Sequence, residues 1–132
     1  MRDGTNHCYG LAFVLLAHSH AADVGVPGAA QGIADTFELM ERRFWLPEHG
    51  LYADEATPDW ALSPYRGQNA NMHMCEACLA AFEATGEARY LDRAESLIER
   101  FAFELADPAA VRWSVGQIRG PRELPIKVLR RA

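Results

Sequence analysis

The feature of this sequence that most constrains its fold is a pair of segments that occurs twice. In each pair, a segment that is apolar on every face is followed by an amphipathic one: Tyr9 to Ala22 and Ala29 to Trp45, then Asn71 to Ala84 and Glu87 to Phe103. A helix that is apolar all round is buried, whereas an amphipathic helix has one covered side and one side in solvent. The sequence therefore predicts two helical hairpins, about 60 residues apart.

Repeated hairpins of this kind favour a helical array that is bent into a ring. The all-apolar helices would form the inner wall and the amphipathic helices the outer wall, with Glu41 away from the apolar stripe and Arg93 on the solvent side. An ordinary four-helix bundle is the alternative, but its four helices should then show similar amphipathic stripes. The predicted fold class is all-α, and the alternation of two helix types favours the ring.

Composition and charge narrow the functional classes. With 132 residues the chain fits one domain, and its formal charge of -5 disfavours binding to nucleic acid or to an anionic membrane, since both need a positive patch. The longest strongly apolar run near the start, Leu11 to Ala17, is too short for a bilayer span of about 20 residues. We expect a cytoplasmic protein with no nucleic-acid partner and no membrane association.

The cysteines allow two interpretations. Cys8, Cys75 and Cys78 are an odd number, and two of them lie within one apolar run, which is typical of reduced core thiols. The spacing His73-x-Cys75-x-x-Cys78, with Cys8 as a fourth ligand, would suit zinc. In one continuous helix, however, His73 and Cys75 point about 160° apart. The spacing therefore disfavours zinc, and no metal or other cofactor is predicted.

A long loop separates the two hairpins. Residues 46–68 are rich in Pro, Gly, Asp and aromatic residues, and the stretches GLYADEA and WALSPY within them could pair as short strands. Loops of this length without a regular helix are commonly functional. We place this loop at the mouth of the predicted ring.

Polar residues recur on one face where the second apolar helix begins. Asn69, His73 and Glu76 have the spacing i, i+4, i+7, so they face the same surroundings, which must satisfy an amide, an imidazole and a carboxylate. The hydroxyls of a sugar could do so, and so could other protein groups. The alternative is an ordinary helix start, with Asn69 or Asn71 as N-cap, Glu76 stabilised by the helix dipole and His73 satisfied in the core.

Three stretches carry a resemblance to a known family. YRGQNANMHMCEACLAAFEATGEARYLDRA (residues 65–94), YGLAFVLLA (9–17) and FWLPEHGLYADE (44–55) resemble segments of the N-acylglucosamine 2-epimerase family, and of its mannose isomerase-like branch, in the same order. The resemblance implies an (α/α)6 ring whose cleft binds a monosaccharide in its open-chain form. It also implies proton transfer next to the sugar carbonyl, through an enediol-like intermediate, with two histidines as general acid and base.

The resemblance assigns roles residue by residue. Asn69 and His73 match positions that hydrogen-bond the sugar near its reacting carbons, and Tyr9 matches a tyrosine of the inner wall at the substrate. Glu76 and Arg66 would orient these groups without touching the sugar. Leu11 departs from the pattern, because the family usually has a polar residue two positions after that tyrosine.

The resemblance also implies that the chain is partial. Six hairpins at this repeat need on the order of 360 residues, whereas residues 1–110 supply two. The histidine acid and base belong to later inner helices and match nothing here, so we expect no complete catalytic set and little or no activity in the isolated chain. Residues 111–132 show neither helical periodicity nor family motifs, and one hypothesis is a shift of reading frame near residues 111–113, which the gene's nucleotide sequence would test.

Several functions stay open at this point. The predicted activity is aldose–ketose isomerisation of a mannose-type sugar, and the alternative within the family is 2-epimerisation of N-acylglucosamine or cellobiose, because both reactions begin with the same proton abstraction. An alternative of another class is a small helical interaction module that self-associates through exposed inner helices.

Overall fold

The computed structural model describes residues 4–101, 103–105, 112–113, 121–123 and 126–128. The chain separates into two compact units, residues 1–100 and 101–132. The described helices are α1 (Cys8–Asp23), α2 (Ala29–Arg43), α3 (Gln68–Thr85) and α4 (Ala88–Phe101). The two predicted hairpins are thus confirmed, although the last helix ends two residues before the predicted Phe103.

Glycines in the left-handed conformation mark the ends of the hairpin helices. Gly28 has φ 81° and precedes α2 directly. Gly86 has φ 72° after α3, and its N–H donates to the Phe82 carbonyl at 2.7 Å. A residue with a Cβ adopts this backbone region at a cost, which is why glycine is common just after a helix. Helix α3 accordingly ends at Thr85, directly before Gly86.

The core of residues 1–100 lies between the two hairpins. Helix α1 packs against both α2 and α3, so the two all-apolar helices are neighbours. The His18 ring sits so close to Gly32 that a Cβ there would lie 2.5 Å from Nδ1, which shows how tightly α2 covers one side of α1. The largest fully buried side chains are those of Tyr52, Tyr90, Phe44, Leu15, Ile33, Met40, Met74 and Leu97.

The prediction that Glu41 and Arg93 lie away from the core is wrong, because the two side chains form a partly buried ion pair. The Arg93 guanidinium pairs with both carboxylate oxygens of Glu41, with Nε 3.0 Å from Oε1, and the Tyr52 hydroxyl donates to the same carboxylate. The guanidinium also lies 3.4 Å from the centre of the Trp45 ring. Helical periodicity placed Glu41 away from the apolar stripe and Arg93 on the solvent side, but the contact between α2 and α4 partly buries both side chains.

Short strands organise the segment between the hairpins. Antiparallel pairs join β2 (Trp45–Leu46) to β3 (Leu51–Tyr52), and β1 (Asn6–His7) to β4 (Glu55–Ala56). The predicted pairing of GLYADEA with WALSPY is confirmed as a bridge from Ala56 to Leu62. Backbone hydrogen bonds on either side of the bridge, such as Ser63 N–H to the Glu55 carbonyl at 2.9 Å, extend it.

The remaining strands belong to the second unit. Antiparallel pairs join β5 (Phe103–Leu105) to β8 (Ile126–Val128), and β6 (Arg112–Trp113) to β7 (Pro121–Glu123). Most of the predicted tail, residues 111–132, lies outside the described residues, so its origin by a frame shift stays a hypothesis. In the described parts of the chain, no helix is both long enough and apolar enough to cross a bilayer.

Candidate functional site

Asp54 ties together the beginnings of the two inner helices. Its backbone carbonyl accepts a hydrogen bond of 2.8 Å from the N–H of Cys8, the first residue of α1. Its carboxylate accepts another from the N–H of Gly67, which directly precedes α3. A negative group is favoured at a helix N-terminus by the helix dipole. One loop residue therefore sets the relative position of both helix starts.

Gly67 leaves the room that this contact needs. A Cβ at position 67 would lie 2.7 Å from a carboxylate oxygen of Asp54 and 2.8 Å from the Tyr65 ring, closer than such contacts occur. Gly67 has φ -78°, so the requirement is one of space and not of backbone conformation. The close contact with Asp54 and Tyr65 thus explains why a glycine stands directly before the polar stripe of α3.

Asn71 is fully buried and fastens the loop to α3. Its side-chain oxygen accepts a hydrogen bond from Tyr52 N–H at 2.8 Å, and its amide group donates to the carbonyls of Tyr52 at 3.0 Å and Gly67 at 2.9 Å. The proposed N-cap role of Asn69 or Asn71 is wrong, because the residue before α3 is Gly67 and no side chain caps the helix. The sequence does hold a signal for the burial of Asn71. Its amide lies on an apolar helix but outside the stripe of Asn69, His73 and Glu76, so it needs hydrogen-bond partners of its own.

Four side chains of α1 and α3 meet on one partly exposed face, which we call the cleft face: Tyr9, Phe13, His73 and Glu76. The Phe13 and His73 rings are 4.7 Å apart between centroids, and the Tyr9 ring meets Phe13 edge-on at 6.5 Å. Asn69 is exposed one helical turn before His73. The structure therefore brings Tyr9, His73 and Glu76 together across two helices, with Asn69 at the rim.

Glu76 orients the imidazole of His73. Nδ1 of His73 lies 3.1 Å from a carboxylate oxygen of Glu76. A carboxylate can only accept, so Nδ1 carries a proton, and Nε2 of the neutral ring keeps a free lone pair. The ring can thus accept a hydrogen bond at Nε2 when neutral and donate one there when protonated.

Arg66 and Leu11 lie off the cleft face. The Arg66 guanidinium donates to the Pro64 carbonyl at 2.8 Å, which ties it to its own loop. Leu11 is partly buried and packs against the core. Two positions after Tyr9 on a helix, a side chain points about 160° away from it, so Leu11 does not contribute to the cleft face.

The three cysteines are free thiols. Burial raises the pKa of Cys8, Cys75 and Cys78 above the ordinary value of 9.0. Cys75 lies with Sγ 3.8 Å from the Ala94 carbonyl, on the side of α3 that faces α4. Within the described part of the chain, no three His, Cys, Asp or Glu side chains are grouped so that they could hold a metal ion.

The free energy of unfolding should fall as the pH rises from about 9 to about 12. Burial, with a smaller effect of the Asp54 charge, raises the pKa of Cys8 from 9.0 to about 12. The unfolded chain releases this proton near pH 9 and the folded protein only near pH 12, so the stability present below pH 9 is lost across this window. Urea unfolding at a series of alkaline pH values measures the slope. Cys8→Ala should make the slope shallower, and an unchanged slope would contradict this assignment.

The two helical hairpins, with α1 packed beside α3, define the class of protein as an all-α array of helical hairpins. The family model described as N-acylglucosamine 2-epimerase matches residues 1–115. The chain therefore belongs to the N-acylglucosamine 2-epimerase family.

Its relatives include D-mannose isomerases. That of Marinomonas mediterranea is 58% identical over 96 residues, which are 72% of this chain and 24% of that protein. That of Thermobifida fusca is 41% identical over 107 residues, covering 80% of this chain and 26% of the relative. The predicted membership of the mannose isomerase-like branch is confirmed. The chain spans about a quarter of the length of these relatives, which confirms that the match is partial.

Solved structures agree with the fold. A crystal structure of D-mannose isomerase superposes with a TM-score of 0.72 at 56% identity, covering 75% of this chain and 26% of that one. Cellobiose 2-epimerase from Spirochaeta thermophila superposes with a TM-score of 0.67 at 28% identity, covering 74% and 28%. The predicted fold class, part of an (α/α)6 barrel of helical hairpins, is confirmed.

Proposed function

We propose that this chain supplies part of the sugar-binding wall of an aldose–ketose isomerase that acts on mannose-type sugars. The cleft face is the observation that carries the proposal, because it combines aromatic rings with a hydrogen-bonding imidazole on two adjacent inner helices. The D-mannose isomerases among the relatives support the choice of reaction and sugar.

The chemistry of the cleft face suits an open-chain sugar. The C–H groups of a sugar pack on aromatic rings, which Tyr9 and Phe13 offer with their exposed faces. Its hydroxyls and carbonyl need donors and acceptors, which the Asn69 amide and Nε2 of His73 can provide. Glu76 keeps the imidazole in one orientation, so that the ring need not be ordered when the sugar binds.

Isomerisation needs more than this chain contains. One group must remove a proton from the carbon beside the carbonyl, and an acid must protonate the enediol oxygen or the neighbouring carbon. By the family resemblance, those two histidines stand on inner helices beyond these residues. Asn69, His73 and Tyr9 are proposed to bind and orient the sugar while Glu76 and Arg66 act through their neighbours.

The purified 132-residue chain should therefore convert D-mannose to D-fructose no faster than buffer does. A chimera should be active: the D-mannose isomerase of Marinomonas mediterranea in which the 96 matching residues are replaced by those of this chain. In that chimera, His73→Ala should lower kcat/KM by roughly tenfold, the effect of one lost hydrogen bond to the sugar, whereas His49→Ala, a change of an exposed histidine, should leave it within about twofold. Equal effects of the two changes would contradict the proposed role of His73.

The same chimera separates isomerase from epimerase. An isomerase produces the ketose from mannose, because the proton returns to C1, whereas a 2-epimerase returns it to C2 and produces glucose. We expect fructose as the main product. The structural match to a cellobiose 2-epimerase keeps the alternative concrete, and glucose as the main product would decide for it.

A further inference from the structure

The row of rings on the cleft face continues beyond Tyr9 to a second imidazole. The His7 and Tyr9 rings are 5.7 Å apart between centroids, with a tilt of 49°, and Tyr9 leads on to Phe13 and His73. His7 is half-buried and directly precedes α1, but its side chain does not cap the helix. The imidazole therefore has no capping role, and it forms the end of the row opposite His73.

The surroundings of this imidazole resemble those of His73. Nδ1 of His7 lies 3.7 Å from a carboxylate oxygen of Glu55, as Nδ1 of His73 lies 3.1 Å from one of Glu76. Each imidazole also contacts an aromatic ring of α1. Both ends of the row thus carry an imidazole beside a carboxylate, with two aromatic rings between them.

The backbone on both sides of His7 is held by the loop between the hairpins. Strand β1, which ends at His7, pairs with β4. The Asn6 side chain donates a hydrogen bond of 2.9 Å to the Thr57 carbonyl, and the Cys8 N–H donates one of 2.8 Å to the Asp54 carbonyl. Because its backbone is already fixed, His7 loses little conformational freedom when it binds a ligand.

The row runs along α1 towards the strand that precedes this helix. Tyr9 lies four residues before Phe13, which is about 6 Å along the helix axis. His73 contacts Phe13, whereas His7 lies beyond Tyr9, in β1. An open-chain sugar whose carbonyl end lies at His73, and which packs along the two rings, therefore has its other end directed towards His7.

We propose that His7 determines specificity for hexoses by hydrogen-bonding the end of the open-chain sugar that is remote from the carbonyl, the hydroxyl on C6. The inference rests on the proposed function, in which Asn69 and His73 bind the sugar near its reacting carbons. A contact with C6 is the same before and during proton transfer, so it strengthens binding and leaves the chemical step unchanged. A pentose ends one carbon earlier and gains nothing from this contact.

A comparison of D-mannose with D-lyxose tests the inference, because D-lyxose has the configuration of D-mannose at C2, C3 and C4 but ends at C5. The assay uses the chimera described above, built to include residues 4–100 of this chain. There, His7→Ala should raise KM for D-mannose about tenfold, the effect of one lost hydrogen bond, and change kcat by less than about threefold. The KM for D-lyxose, or its inhibition constant against D-mannose, should stay within about twofold.

Two further variants control for the chemistry of the side chain. His49→Ala is the matched control, because Nε2 of His49 also lies near a carboxylate, 3.8 Å from Glu48, but in the exposed turn between β2 and β3. It should leave the constants for both sugars unchanged. His7→Gln keeps a hydrogen-bonding side chain and should recover part of the preference for D-mannose, whereas recovery of none would contradict a hydrogen bond at this position.

The two sugars separate a binding role of His7 from a structural one. An equal loss with both sugars in His7→Ala would assign the residue to the fold, and no loss with either would remove it from the site, so each result would overturn the inference. His73→Ala should weaken both sugars. A lack of effect at His73 would contradict the proposed function, whereas a lack of effect at His7 alone would contradict only this inference.

Discussion

Asn71→Ala should lower the free energy of unfolding by about 3 kcal/mol. The side chain satisfies the N–H and the carbonyl of Tyr52, and the carbonyl of Gly67, in a site that water does not reach. Alanine would strand these groups, and each buried polar group without a partner costs about 1 to 3 kcal/mol. The loss should also loosen β3 from the start of α3, where the polar stripe begins.

Urea unfolding followed by circular dichroism measures this effect, with all variants at one protein concentration. Asn69→Ala is the matched control, because it removes the same side chain two residues earlier from an exposed position. Changes at exposed positions usually stay within about 0.5 kcal/mol. Equal unfolding free energies for the two variants would show that the buried hydrogen bonds of Asn71 do not hold the loop in place.

Arg93→Ala should lower the free energy of unfolding by about 2 to 3 kcal/mol. Loss of one partner of a fully buried ion pair costs about 3 to 5 kcal/mol, and this pair keeps side-chain exposures of 18% and 26%, so solvent reduces the cost. The change also removes the packing of the guanidinium on the Trp45 ring. Glu41 would keep only the Tyr52 hydroxyl among the partners described above.

The control for this prediction is Arg42→Ala, which removes an exposed arginine from α2 next to Glu41. A double-mutant cycle with Glu41→Gln isolates the interaction of the pair, and we expect a coupling of about 1 to 2 kcal/mol. Arg93→Lys should restore only part of the stability, because an ammonium group cannot bind both carboxylate oxygens in parallel or stack on the indole in the same way. Zero coupling would mean that the packing on Trp45 accounts for the whole loss.

Much of the candidate site could be predicted from local pattern. The spacing of Asn69, His73 and Glu76 follows from helical periodicity alone, and the hydrogen bond between His73 and Glu76 joins residues three apart on one helix. Asp54 could not be found in this way. Its two contacts reach Cys8 and Gly67, which are 46 and 13 positions away in the sequence, and no periodicity connects such positions.

The ion pair of Glu41 and Arg93 also could not be predicted from local pattern. Periodicity places Glu41 away from the apolar stripe of α2 and Arg93 on the solvent side of α4, but whether such a position is exposed to water depends on how closely the next helix packs. Their pairing across 52 residues is a property of the contact between α2 and α4. The helix propensities of the two segments carry no information about this pairing.

The sequence by itself determined the helices, their pairing into hairpins, the repeat and the polar stripe at the start of α3, because each of these depends on residues within a few turns of one another. Only the tertiary structure decided which polar side chains are buried and which residues fasten the loop to the helices. Those outcomes depend on the distance between segments far apart in the chain, and that distance is set by packing of the whole core.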